Sequence, residues 1–253
     1  MHMKNTCERN THQRNVYERE MEVIIMKKTK KGLTEIVFIL DRSGSMSGLE
    51  ADTIGGYNSM INKQKKEEGD AVITTILFDD KVEMIHDRVP LEKVSKITEE
   101  EYYVRGCTAL LDAIGQSIHY IAGKHKEAGK EQRPEKTLFI ITTDGMENSS
   151  KEYSYEKVKH MVEKKKQKHG WEFLFLGANI DAVKVAGKFG ISADRAVNYE
   201  CDSMGTQLNF NVLSRTVSRV RSCKAEPMAM TQVLDDGWKD EIESDYSERH
   251  TVK

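Results

Sequence analysis

The run Val37-Phe38-Ile39-Leu40-Asp41-Arg42-Ser43-Gly44-Ser45-Met46 constrains this chain more than any other stretch. Its apolar part, Ile36 to Leu40, reads as a short buried strand that stops abruptly at Asp-x-Ser-x-Ser. Oxygen-bearing side chains alternate there with other residues, so Asp41, Ser43 and Ser45 can turn toward one point as the chain leaves the strand. One carboxylate and two hydroxyls are hard donors of the kind a small divalent cation accepts. Gly44 allows a close backbone turn between the serines. On these ten residues alone a polar turn fits equally well, since Asp, Ser and Gly are ordinary turn formers.

Two later segments tip that balance. Arg105-Gly106-Cys107-Thr108-Ala109-Leu110 places a threonine just ahead of a helical apolar pattern. Thr137-Leu138-Phe139-Ile140-Ile141-Thr142-Thr143-Asp144-Gly145 is a second buried strand ending in aspartate and glycine. With these three pieces in this order, the chain resembles the von Willebrand factor type A (vWA) family over residues 31–222. The family's metal-ion-dependent adhesion site (MIDAS) is spelled Asp-x-Ser-x-Ser, then Thr, then Asp, and Asp41, Ser43, Ser45, Thr108 and Asp144 fill it without a substitution. Any one of the motifs is weak; the ordered set is specific. The resemblance implies a Mg²⁺ or Mn²⁺ ion at these residues and a stand-alone bacterial branch of the family.

The remaining totals bound the setting. The formal net charge of −2 over 253 residues argues against a whole-protein electrostatic grip on nucleic acid or an anionic membrane. No apolar run approaches the ~20 residues that span a bilayer, and no leader peptide is legible. Cys7, Cys107, Cys201 and Cys223 lack the spacing of a zinc site or a disulfide scaffold, which fits a reducing, cytoplasmic location.

Residues 1–30 are polar and without sustained periodicity, and a poorly ordered extension is expected there. Met21-Glu22-Val23 back-translates to a run containing GGAGGT just upstream of an ATG for Met26. Translation is therefore expected to begin naturally at Met26, which N-terminal sequencing of the native protein tests. From Thr34 onward strands alternate with helices. Helices are expected over 49–67, 109–126, 154–168, from 178 to about 190, and over 203–221. Strands are expected over 36–40, 71–78, 81–86, 137–142, 171–177 and 195–199. Gly55-Gly56 is awkward inside the first helix and calls for close packing or a kink. Asp79-Asp80 reads as a hairpin turn rather than a metal site. His119 and His125 read as surface or packing residues, and Lys164-Lys165-Lys166 as a solvated helix end. Residues 223–253 are polar and acidic around Pro227, and a poorly ordered tail is expected.

This alternation predicts an α/β fold: a doubly wound, Rossmann-like, mainly parallel six-stranded sheet with helices on both faces and one antiparallel edge strand. The family resemblance implies the order third, second, first, fourth, fifth, sixth. The first and fourth strands then flank the point where the winding reverses, where such sheets bind ligands. The expected function is a non-enzymatic, metal-dependent protein-binding module. Hydroxyls dominate the coordination implied by the family, leaving the ion's charge largely uncompensated, so an Asp or Glu carboxylate of a partner protein completes its shell. The resemblance points to an operon-encoded stress protein or ring-forming ATPase as partner. Arg42, Arg105, Tyr102, Tyr103, Asn179 and Asp181 are expected at the rim. The alternative is a Mg²⁺-dependent phosphoryl-transfer or hydrolytic enzyme with Glu147 as general base. Against it, the sequence has no glycine-rich phosphate loop with a lysine, no histidine near the site, and no activating partner for Cys107.

Overall fold

A computed structural model describes residues 32–129, 132–223, 227–235 and 237–251. The expectations for residues 1–30 and for a start at Met26 lie outside these residues. The chain runs β1 (Thr34–Asp41), α1 (Glu50–Gln64), β2 (Ala71–Phe78), β3 (Val82–Pro90), α2 (Leu110–Glu127), β4 (Lys136–Thr143), α3 (Tyr155–His169), β5 (Glu172–Gly177), α4 (Ala182–Lys188), β6 (Ala196–Asn198) and α5 (Ser203–Ser222). Two further helices follow, α6 (Pro227–Asp235) and α7 (Asp240–Thr251).

The six strands form one sheet in the order β3-β2-β1-β4-β5-β6. All neighbours pair in parallel except β2 and β3, which form the hairpin turned by Asp79-Asp80. Each central strand is apolar on both faces because helices cover both. Ile36, Phe38, Leu40, Leu138, Ile140, Leu174 and Leu176 pack with Tyr57, Met60 and Ile61 of α1 and Leu213 and Val217 of α5. Val37, Ile39, Phe139, Ile141, Phe173 and Phe175 pack on the other side with Leu110, Ile114 and Ile118 of α2, Val158 and Val162 of α3 and Ala182 of α4. The period of two along each strand thus supplies both cores at once.

Of the two glycines in α1, Gly56 is a packing device, whereas a Cβ on Gly55 would meet no atom within 4 Å. A Cβ on Gly56 would lie 2.2 Å from the Phe210 ring of α5, so only glycine lets the two helices approach.

Beyond residue 222 the structure overturns an expectation, for α6 and α7 replace the poorly ordered tail. Met230, Leu234, Trp238 and Ile242, spaced by fours, are buried against the α1/α5 core. Arg195, buried just before β6, fastens the segment. Its guanidinium donates to Glu172 Oε2 (3.1 Å), Asp235 Oδ1 (2.6 Å) and the Thr231 carbonyl (3.0 Å). At the β6 edge Lys239 Nζ donates to the carbonyls of Ala193 (2.9 Å) and Ala196 (3.0 Å), and the Trp238 indole donates to the Asp194 carbonyl (2.8 Å). Among the described residues no helix is long and apolar enough to cross a membrane.

Candidate metal centre

Asp41 ends β1 and Asp144 follows β4, so both carboxylates leave neighbouring parallel strands at the same end of the sheet, at the point where the winding reverses. Ser43 and Ser45 follow in the tight turn after β1. Thr108 arrives on the loop before α2, held by backbone bonds from Gly44 N–H to the Gly106 carbonyl (3.1 Å) and from Ala109 N–H to the Asp79 carbonyl (2.7 Å). All five expected residues converge. Thr108 Oγ1 donates to Ser43 Oγ (3.0 Å), the two serine hydroxyls lie 3.1 Å apart, and Ser45 Oγ donates to Asp144 Oδ1 (2.5 Å). Asp41 Oδ1 accepts from Ser43 N–H (2.7 Å) and Oδ2 accepts from Thr143 Oγ1 (2.5 Å). A Cβ on Gly145 would stand 3.1 Å from both Ser45 Oγ and Thr108 Oγ1, so glycine keeps this cradle open.

The electrostatics fit a cation. Burial pushes the Asp41 carboxyl up to about 6, against the bonds from Thr143 and Ser43 that favour its charge, and the nearby Asp144 pushes the same way. Burial also raises Asp144. Two buried carboxylates close enough to repel are the arrangement a bound divalent ion relieves. Among the described residues no cluster of three or more His, Cys, Asp or Glu side chains is placed to hold a metal. The donors here are two carboxylates and three hydroxyls, all hard oxygens, suited to Mg²⁺ or Mn²⁺ more than to a soft-metal cage.

Several residues expected at the rim are structural instead. Arg42 is fully buried and donates to Asp79 Oδ2 (2.9 Å), Glu83 Oε2 (2.6 Å) and the Glu101 carbonyl (2.8 Å). The hairpin, far off in sequence, draws it inward. Tyr102 is also buried, and its hydroxyl donates to the Asp41 carbonyl at 2.5 Å. Asp181 caps α4 by accepting from Lys184 N–H (3.0 Å). Tyr103 and Arg105 are partly exposed. Arg105 Nε donates to Asp79 Oδ2 (2.7 Å), and both guanidiniums lie about 5 Å from the Tyr103 ring centroid (5.1 and 5.0 Å). Burial works against the Asp79 charge, but bonds from Arg105, Lys81 N–H, Asp80 and Arg42 outweigh it and hold the carboxyl below its ordinary range. Asn179 is exposed, with φ +54°, and bonds Cys201.

The candidate general base Glu147 is fully engaged. Its carboxylate accepts from the N–H groups of Ser149 (2.9 Å), Ser150 (2.8 Å) and Leu111 (2.8 Å) and from Ser150 Oγ (2.7 Å). It ties the loop after β4 to the first turn of α2, and so Asp144 to Thr108. Asn148 repeats the tie: its side-chain oxygen accepts from Thr108 N–H (2.9 Å) and its own N–H donates to the Thr108 carbonyl (3.1 Å).

The sequence reading missed Thr143 and Cys201. Thr143 carries a signal: it is the last strand residue before Asp144, and its hydroxyl meets Asp41. Cys201 carries none, since the loop before α5 brings its thiol to Asp144 Oδ2 (3.7 Å), and burial, then Asp144, pushes that thiol up to about 11.

No family profile matches the sequence, and no curated protein sequence matches it. Solved structures do. A von Willebrand factor type A protein from Catenulispora acidiphila superposes with TM-score 0.52 at 14% identity, covering 74% of this chain and 43% of that one. The pilus adhesin SpaC from Lactobacillus rhamnosus GG, in an open conformation, gives TM-score 0.54 at 10% identity over 74% and 30% of the two chains. Proximal thread matrix protein 1 from the mussel byssus, with a zinc-occupied MIDAS motif, gives 0.51 at 16% identity over 74% and 46%. The fold is that of a vWA domain. The chain spans less than half the length of each of these proteins.

Proposed function

We propose that this vWA domain is a metal-dependent protein-binding module. Asp41, Ser43, Ser45, Thr108 and Asp144 hold a Mg²⁺ or Mn²⁺ ion, and an Asp or Glu of a partner protein completes its shell. The observation that carries this reading is the convergence of three hydroxyls and two buried carboxylates from three separate loops at one end of the sheet. When bound, the ion supplies a Lewis-acidic centre that a carboxylate can reach. The chain's residues orient it: Thr143 and Ser43 N–H fix the Asp41 carboxylate, and Glu147 and Asn148 lock the Thr108 and Asp144 loops together.

The surroundings favour a protein partner. Among the described residues the large exposed apolar side chains are Tyr103, Met146, Val183 and Met204. All four lie in the loops or first helical turns at the crest that carries the metal residues, the kind of apolar ring that dries a protein contact. The acidic residue captured is therefore flanked by apolar side chains. With Glu147 saturated by four donors, the hydrolytic alternative has no free carboxylate base among the residues first considered for it. The described cysteines, Cys107, Cys201 and Cys223, are free thiols, which supports a reducing, cytoplasmic setting. The partner is read as a stress-operon or ATPase-associated protein in a bacterium.

Calorimetric titration with Mg²⁺ and Mn²⁺ tests the reading directly. Asp41→Ala is expected to lose metal binding while remaining folded, and a pull-down with and without chelator is expected to recover a partner only with metal. Unchanged metal affinity in that variant refutes the assignment.

A further inference from the structure

At the opposite pole of the sheet lies a second concave site, a cavity of about 550 Å³. It sits where α2 and α3 end and β5 begins, so the length of the eight-residue β1, roughly 25 Å, separates it from the metal residues. His119, His125, Lys126, Arg133, Lys165 and His169 line it over Trp171. Among the described residues no carboxylate lines it. Glu35, buried beside His125, is already bonded by it and by Arg88 Nε (2.6 Å). Among the described residues Lys126, Arg133, Lys165 and His169 have no carboxylate partner within ion-pair distance.

Helix dipoles explain part of the charge, since cations collect at helix C-termini. They do not explain Arg133, which lies outside both helices, nor Lys165, which reaches across Trp171 at 4.8 Å from the ring centroid. The cations are close enough to feel one another: burial, then Lys165, His125, Arg133 and Lys168, lowers the His169 imidazole. The wall beside them is open, for a Cβ on Gly123 would meet no atom within 4 Å.

We propose that this cavity binds a phosphate-bearing small molecule of nucleotide size. A phosphate dianion accepts charge-assisted bonds from a guanidinium, ammonium and imidazole set of this kind and relieves its self-repulsion. The volume falls within the usual range of small-molecule pockets and leaves room for an organic group along the Ala122–Gly123 wall. The site uses none of the metal residues and stands independently of the function proposed above.

Calorimetry on the full chain, with chelator present, tests it using AMP, adenosine and inorganic phosphate as probes. AMP is expected to bind one to one, at least about tenfold tighter than adenosine or inorganic phosphate. The double variant Arg133→Ala/Lys165→Ala is expected to weaken AMP about 10- to 100-fold, the worth of one or two charged hydrogen bonds. Gly123→Leu, which favours the helix and fills the cavity without touching a charge, is expected to block AMP. Asp41→Ala should bind AMP like the parent. The inference is overturned if AMP binds no tighter than adenosine, if inorganic phosphate binds as tightly as AMP, or if the variants bind AMP like the parent.

Discussion

Thr143 Oγ1 donates to Asp41 Oδ2 at 2.5 Å, so the last residue of β4 fixes the carboxylate that ends β1. The bond steadies a charge that burial opposes, and burial wins: Asp41 stays near 6 rather than at the ordinary 3.8.

A sign follows for the metal-free protein. An acid whose folded value is raised is tolerated better protonated, so stability rises as pH falls through about 6 and levels off near 3.8. The whole effect is worth at most about 3 kcal/mol. Chelated protein is expected to melt higher near about pH 5 than near about pH 7.5, with Asp41→Asn flattening that difference in thermal melts. Metal affinity is expected to run the opposite way, weakening below pH 6 because the ion competes with the proton.

Tyr102→Phe removes a buried hydroxyl from the Asp41 carbonyl. An orphaned buried acceptor costs about 1–3 kcal/mol. The melting temperature should fall by a few degrees, about 2–4 °C per kcal/mol at this size. The Mg²⁺ dissociation constant should rise as well, because the released carbonyl begins the metal turn. A variant that loses stability but binds Mg²⁺ normally would remove Tyr102 from any part in the site.

Arg195→Ala removes the counter-charge of the buried Glu172, which among the described residues keeps only the Thr231 hydroxyl (2.7 Å), and frees Asp235 and the Thr231 carbonyl of α6. Breaking a buried pair on one side costs about 3–5 kcal/mol. Hydrogen exchange should accelerate in residues 227–251 before the sheet opens, and limited proteolysis should cut there first.

Gly56→Ala drives a methyl into Phe210 and is expected to destabilise by about 1–3 kcal/mol despite its gain in helix propensity. Phe210→Leu should offset part of that loss, and a double-mutant cycle from denaturant melts measures the coupling.

The fold was legible because its strands are buried on both faces and its helices are amphipathic, so period and length separate them. The metal residues were legible because strand ends point them and short local spacing gathers them. The rim was not. Whether Arg42 and Tyr102 face solvent depends on Asp79, Glu83 and the Asp41 carbonyl, partners 37, 41 and 61 positions away. Nor were α6 and α7 legible, since the chain breaks at Gly237 between Leu234 and Trp238 and divides the stripe of Met230, Leu234, Trp238 and Ile242 between two short helices.

Lys239 occupies the Ala196 carbonyl at the start of β6 and Trp238 the Asp194 carbonyl just before it, whereas among the described residues β3 has no neighbouring strand on its outer side. A carbonyl already held by Lys239 or Trp238 cannot accept from a strand of another molecule, so the terminal helices shield that border of the sheet.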